Sequence, residues 1–286
     1  MLNWLIVDKI IKNALEEDMP YGDITTDLII GSVHGSKNPV NNARAEFIVK
    51  EDGVIAGLDV AARVFELLDG EVLFTRLAKD GSYVQKGTVI AEITGHTATL
   101  LKGERTALNI LQRMSGIATK TREFCKRVEG TGVQVADTRK TTPGMRMLEK
   151  YAVRMGGGSN HRYSLSDGVL IKDNHIKAAG SIKEAVKRVR KSIPHTIKIE
   201  VETETLEQVK EALEAGADII MLDNMDIETM KKAVDITGGK AVIEASGNMS
   251  LEKVYDVALT GVNIISVGSL THSVKALDIS MKIKGN

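Results

Sequence analysis

Six short apolar segments recur between residues 133 and 267, the first five each followed by a stretch with helical spacing and the sixth closing the series. They read VQVAD (133–137), GVLIK (168–172), IKIEV (197–201), DIIML (218–222), AVIEA (241–245) and NIISV (263–267). Strands buried on both faces of a parallel sheet have this β-branched, nearly unbroken apolar character. The helices between them carry their own boundaries. Ser181 with Glu184 opens IKEAVKRVRK, Thr205 with Gln208 opens LEQVKEALEAG, and Gly216 supplies a stop. Such alternation builds either a doubly wound sheet or a β/α barrel. No GxGxxG follows the first strand, which weakens the doubly wound reading. Six strands are fewer than the eight of a complete barrel. The expectation is an α/β fold: an incomplete, about six-stranded β/α barrel over residues 115–270.

The preceding residues have mixed character. Apolar spacing predicts a helix near 3–17, then a loop, DMPYGDITTDL, then short β-type runs ARAEFIVK, GVIAG, EVLFTRLA, TVIAEITG and TATLL. Leu58 to Leu68 looks helical, and DGSYVQKGTVIAEITG has the rhythm of a small barrel-sandwich hairpin. From Lys102, GERTALNILQRMSGIATKTREFCKRVEG reads as one long helix. We therefore expect an N-terminal α+β sandwich domain at 1–114, the barrel at 115–270, and a tail at 271–286 returning to the first domain.

Composition excludes several classes. The 38 basic and 38 acidic residues cancel, and aromatics are 3%, so there is neither a global field nor a set of stacking platforms for nucleic acid. The single cysteine, Cys125, permits no internal disulfide and suits a reducing compartment. It lies in a helical pattern and reads as packing. Asp8 and Lys9 interrupt the N-terminal apolar run, so it reads as an amphipathic helix and not a signal peptide or membrane span. The expected location is cytoplasmic. A biotinyl- or lipoyl-carrier role needs a lysine on the hairpin turn, and Gly95-His96 offers none.

Polar residues fall at the strand ends, where barrel enzymes keep their chemistry. Reading in order gives Asp137-Thr138-Arg139-Lys140, Lys172-Asp173-Asn174-His175, Glu202, Asp223-Asn224, Ser246-Gly247-Asn248 and Gly268-Ser269. A Gly156-Gly157-Gly158 turn leads to Asn160-His161-Arg162. Arg139, Lys140, Arg162 and Lys172 make a local cationic cluster fit for carboxylates or phosphates. The last two loops carry glycines that let backbone approach a phosphate. Glu202 and Asp223 either hold Mg²⁺ or balance the cations. His175 reads as a cap for the loop after the second strand. His34, His96 and His195 belong to no constellation.

With these residues assembled, the chain resembles the quinolinate phosphoribosyltransferase family. The matching stretches are EDMPYGDITTDL, GERTALNILQRMSGIAT, DTRKTTPGMRMLEKYAVRMGGGSNHR, LIKDNHI, IEVE, IMLDNM, EASGN and SVGSLTHS, running nearly end to end. The resemblance implies phosphoribosyl transfer from PRPP to quinolinate with loss of CO₂, giving nicotinate mononucleotide in NAD biosynthesis. It implies that Arg139, Lys140, His161, Arg162 and Lys172 contact the two substrates, with Thr138 beside them. Glu202 and Asp223 would hold Mg²⁺–PRPP. Ser246, Gly247, Asn248, Gly268 and Ser269 would hold the 5′-phosphate. It also implies a homodimer, or a higher homo-oligomer, in which Arg105 reaches the neighbouring subunit's site. One departure stands out: the family usually has a second glycine after Ser-Gly, and this chain has Asn248. Two rival readings are an aldolase with Lys172 as a Schiff-base lysine and a family paralogue linked to molybdenum transport.

Overall fold

The computed structural model describes residues 2–30 and 42–284; His34 lies outside them. The first elements are α1 (Trp4–Asp18), α2 (Ile24–Ile29), β1 (Asn42–Val49), β2 (Gly53–Val54), α3 (Leu58–Leu68), β3 (Leu73–Arg76), β4 (Tyr83–Val84), β5 (Val89–His96) and α4 (Thr97–Arg127). Then come β6 (Gln134–Ala136), α5 (Arg146–Met155), β7 (Val169–Ile171), α6 (Asp173–Ala179), α7 (Ile182–Ser192), β8 (Ile199–Thr203), α8 (Leu206–Glu214) and β9 (Ile219–Asp223). The series closes with α9 (Ile227–Thr237), β10 (Val242–Ser246), α10 (Val254–Ala258), β11 (Ile264–Ser266), α11 (Ser269–His272) and β12 (Ile279–Lys284). Two compact units result, and they do not follow the chain linearly. One holds the residues up to Lys120, Thr142–Gly157 and the segment from Ser273; the other holds Thr121–Thr141 and Gly158–His272.

The first unit is built on an antiparallel sheet of order β12-β1-β5-β3. Phe47 of β1 meets Phe65 of α3 edge-on at 6.2 Å and Phe74 of β3 at 5.5 Å, so the helix seals one sheet face with aromatic area. Helix α1 buries Val7, Ile11 and Leu15, one stripe at a spacing of four. Its polar side places Asp8 against Arg63 in a two-bond fork of 2.9 and 2.8 Å.

Three local expectations fail here, each for a physical reason. The stretch after α1 is not all loop: Asp23 caps Thr26 N–H and starts α2, although Ile24, Leu28 and Ile29 stay exposed. TATLL is not a strand but the first turn of α4, where Thr99 donates to Asp69. The predicted hairpin does not pair with itself, because β4 bonds to β2 while β5 bonds to β1 and β3.

The second unit holds a six-stranded parallel sheet of order β6-β11-β10-β9-β8-β7. This is sequential barrel order opened between the first strand and the second. The open edge of β6 is partly taken by Ser159, whose N–H donates to Val135 and whose carbonyl accepts from Asp137. The helices close the outside with short apolar faces: Ile182, Ala185 and Val186 on α7, Val209 and Ala212 on α8, Met230 and Ala233 on α9. Ser181, Thr205 and Asp226 cap these helices through their side chains. Gly216 follows α8 with φ +80°. The residues after Asn248, MSLEKVYDVAL, have helical spacing, but the helix there begins only at Val254.

Candidate active site

Side chains alternate along a strand, so residues two apart share a face. On β8 this sends Ile199, Val201 and Thr203 one way and Glu200 and Glu202 the other. On β10 Glu244 and Ser246 share a face, and on β9 Met221 and Asp223 do. These second faces, with the loops beyond them, line a cavity of about 620 Å³ at the C-terminal ends of the strands. Thr138, Arg139, Lys140, His161, Arg162, Lys172, Glu202, Asp223, Ser246, Gly247, Asn248, Gly268 and Ser269 all line it. Arg105 does not; it sits exposed on α4 in the other unit.

The walls are fixed by backbone chemistry. Asp137, fully buried at the end of β6, accepts from Asn160 Nδ2 at 2.7 Å and from His161 N–H at 2.9 Å. That ties the loop after the glycine turn to the first strand; Gly157 makes the turn at φ +97°. Arg162 donates to the Gly168 carbonyl at 2.8 Å. Burial, and then the neighbouring Arg139, lower the pKa of Arg162. Two guanidiniums crowded into a half-buried pocket repel each other, and an anion between them would relieve that repulsion. Lys172 Nζ pairs with Glu202 across the ends of β7 and β8. Its N–H donates to His175 Nδ1 at 2.9 Å, so His175 caps the start of α6. His96 and His195 do not line the cavity.

The opposite wall is a pair of turns. Gly247 has φ +92° and Asn248 φ +43°, both left-handed. Asparagine adopts that conformation more readily than most side chains, so Asn248 keeps the turn that a second glycine would make. Its Nδ2 donates to Asn224 Oδ1 at 3.2 Å, and Asn224 donates to Asp223 at 2.9 Å. The loop after β11 approaches Lys140 closely: a side chain at Gly268 would meet Lys140 Cδ at 3.1 Å and His272 at 3.2 Å. Thr271 Oγ1 donates to the Lys140 carbonyl at 2.8 Å. Such glycine-bearing loops at the last two strands suit a phosphate.

Several cavity residues escape sequence reading. Glu244, Met221, Leu170, Ser266 and His272 line it, and Glu200 lies nearby, buried and 3.0 Å from His161 Nε2. A lone carboxylate inside an apolar strand, as in IKIEV and AVIEA, was the available signal. Two donor sets could take a cation. Glu202 and Asp223 offer hard oxygens at neighbouring strand ends, and His161, Glu200 and Glu244 bring three donor atoms within 4.8 Å. A second cavity, about 570 Å³, lies in the first unit beside Ile10, Asn109, Arg113 and Pro143; it lacks this convergence of charge.

A barrel unit with cations, paired carboxylates and two glycine loops at one cavity defines a protein built for phosphorylated, polyanionic ligands. The model of the quinolinate phosphoribosyl transferase C-terminal domain matches residues 117–282, and that of the N-terminal domain matches residues 23–115. The chain therefore belongs to the quinolinate phosphoribosyl transferase family. It is 48% identical over 282 residues to the probable nicotinate-nucleotide pyrophosphorylase (carboxylating) of Bacillus subtilis, covering 99% of this chain and 95% of that protein. Among solved structures it resembles NadC from Streptococcus pyogenes, with TM-score 0.92 and 43% identity over 99% and 98% of the two chains. The nicotinate-nucleotide pyrophosphorylase of Francisella tularensis gives TM-score 0.92 at 38% identity, with 99% and 98% covered.

Proposed function

We propose that the chain transfers the phosphoribosyl group of PRPP to the ring nitrogen of quinolinate, releasing pyrophosphate and CO₂ and leaving nicotinate mononucleotide. One observation carries this reading. In a chain of this family, Arg139, Lys140, Arg162 and Lys172 converge on one cavity with both glycine loops. A dianionic acid and a polyanionic phosphoribosyl donor together require that density of positive charge.

Arg139, His161, Arg162 and Lys172 hold the two carboxylates of the acid. Ser246, Gly247, Asn248, Gly268 and Ser269 hold the 5′-phosphate, and Lys140 with Thr138 lies between the two. Glu202 and Asp223 fit Mg²⁺, which favours few carboxylates and completes its shell with water and phosphate oxygens. When bound there it neutralises charge on the pyrophosphate. The substitution passes through an oxocarbenium-like state at ribose C1. It needs alignment and charge stabilisation rather than a side-chain nucleophile. After transfer the cationic ring nitrogen stabilises the electron pair left on the adjacent ring carbon as its carboxylate departs as CO₂, and a proton from solvent water then takes the carboxylate's place on that carbon. The cations that gripped that carboxylate hold the ring in place until then.

The working assembly on this reading is a homodimer, or a higher assembly of dimers, in which Arg105 of one protomer completes the other's site. The single cysteine supports a reducing, cytoplasmic setting. Among the described residues no helix is long and apolar enough to cross a membrane. Carboxyl-labelled quinolinate tests the chemistry. Labelled CO₂ is expected only with PRPP and Mg²⁺ both present; release without PRPP would overturn the reading.

A further inference from the structure

Residues 162–168 join His161 to β7 and lie in neither helix nor strand. Their backbone N–H groups need partners all the same, and side chains supply them. The Arg162 N–H donates to His161 Nδ1 at 2.8 Å. The next two, of Tyr163 and Ser164, both donate to Asp167 Oδ2, at 2.6 and 3.0 Å. Ser164 Oγ donates to Asp167 Oδ1 at 2.6 Å and accepts the Ser166 N–H at 3.1 Å. Successive N–H groups form a concavity for an anion, and the chain fills this one with its own carboxylate. Leu165 at the tip is 69% exposed, so apolar burial there does not hold the loop's shape.

Arg162 closes the base of the loop. Its Nη1 donates to the carbonyl of Gly168 at 2.8 Å, the residue directly after Asp167. A backbone carbonyl orients a guanidinium without neutralising it, and leaves its other N–H donors for a bound anion. Among the described residues no carboxylate forms an ion pair with Arg162. Lys172 differs, because its ammonium pairs with Glu202. The aim of Arg162 therefore depends on where the Gly168 carbonyl stands. Asp167 sets that place, by tying the end of the loop to the N–H groups at its start.

We propose that Asp167 is a positioning residue for acid binding: its carboxylate folds residues 162–168 into a closed loop and so aims Arg162 at the dianion. The role needs the acceptor oxygens of Asp167 and not its charge. That charge is exposed to solvent and is screened there, so it costs the cationic pocket little. The inference rests on the acid-binding role of Arg162 given above.

Alanine and asparagine at position 167 test it. Asp167→Ala should raise both the KM for quinolinate and its Kd, read by equilibrium dialysis with labelled acid, about tenfold or more, with the KM for PRPP within about threefold of the parent. Asparagine keeps an acceptor for both N–H groups and can offer its amide to Ser164 Oγ, so Asp167→Asn should recover most of the loss. Asparagine as damaging as alanine, or alanine raising both KM values alike, would overturn the assignment. Nitrogen relaxation of arginine-labelled protein, with Arg162→Lys to identify the Nε–H signal, reads the guanidinium without substrate. An ordered Nε–H is expected in the parent and in Asp167→Asn, and a mobile one in Asp167→Ala. Equal order in all three, or a mobile group in the parent, would refute the role even where quinolinate is turned over. The expected pattern in a protein that does not use quinolinate would leave the hold of Asp167 on Arg162 standing and locate the failure in the acid-binding role.

Discussion

Replacing Gly247 with alanine probes the phosphate wall at its tightest point. Gly247 has φ +92°, and left-handed backbone costs a residue with a Cβ about 1–2 kcal/mol. The new Cβ would also strike Asn224, meeting its Oδ1, its Cγ at 2.5 Å and its backbone nitrogen at 2.9 Å. Rotating the Asn224 side chain relieves only the first two contacts. It also breaks the bonds to Asp223 and from Asn248, each worth about 0.5–1.5 kcal/mol. The backbone contact needs the loop itself to move. Together these come to about 2–5 kcal/mol, which is about thirty- to several-thousand-fold in an equilibrium. Steady-state kinetics with each substrate varied in turn, beside a thermal melt, shows where that energy falls. The expected result is a drop of that size in kcat/KM for PRPP, with quinolinate binding to the free protein retained. A kcat/KM for PRPP within about threefold of the parent, at unchanged Tm, would refute the argument that this turn builds the phosphate site.

Other perturbations follow from the same geometry. Asn248→Gly keeps the left-handed turn and should alter the KM for PRPP by less than about threefold, whereas Asn248→Val should raise it at least tenfold by the same kinetics. Arg139→Ala should abolish quinolinate turnover, and near-normal turnover would remove it from the acid site. Arg105→Ala and Lys172→Ala, each inactive alone, should regain activity when mixed and reassociated, because one hybrid site then has both residues; no recovery in a verified hetero-oligomer would remove Arg105 from the partner's site. The Arg63 fork holds the Asp8 carboxyl below its ordinary range, so its stabilisation is present above the unfolded value near pH 4 and is lost as pH falls through the lower folded value. Denaturation of Asp8→Asn should accordingly show a deficit at pH 7 that closes in acid.

The barrel is legible in the sequence because its signals are local. Each apolar run overlaps a strand, to within two residues at either end, and Ser181 and Thr205 cap the helices they precede. Strand-end polarity is legible for the same reason, since a parallel strand has only one end open to a ligand. What escapes depends on tertiary partners. TATLL carries β-type residues, but β5 runs straight into α4 and Thr99 finds its partner on Asp69. Helix α2 buries only Thr26, so no apolar stripe advertises it. Tyr83-Val84 pairs with Gly53-Val54, some thirty residues earlier, which no turn signal reveals. Glu200 and Glu244 look like single interruptions of apolar strands; their meaning comes from lying beside His161 across three separate segments.

The most direct test of the account supplies the purified protein with PRPP and Mg²⁺ and offers quinolinate, nicotinate or no acid in parallel, following nicotinate mononucleotide by chromatography. Quinolinate alone should yield product, because the cations around the cavity match a dianion. Product from nicotinate and not from quinolinate, or from neither acid, would contradict the assignment of Arg139, Arg162 and Lys172 to a dicarboxylate.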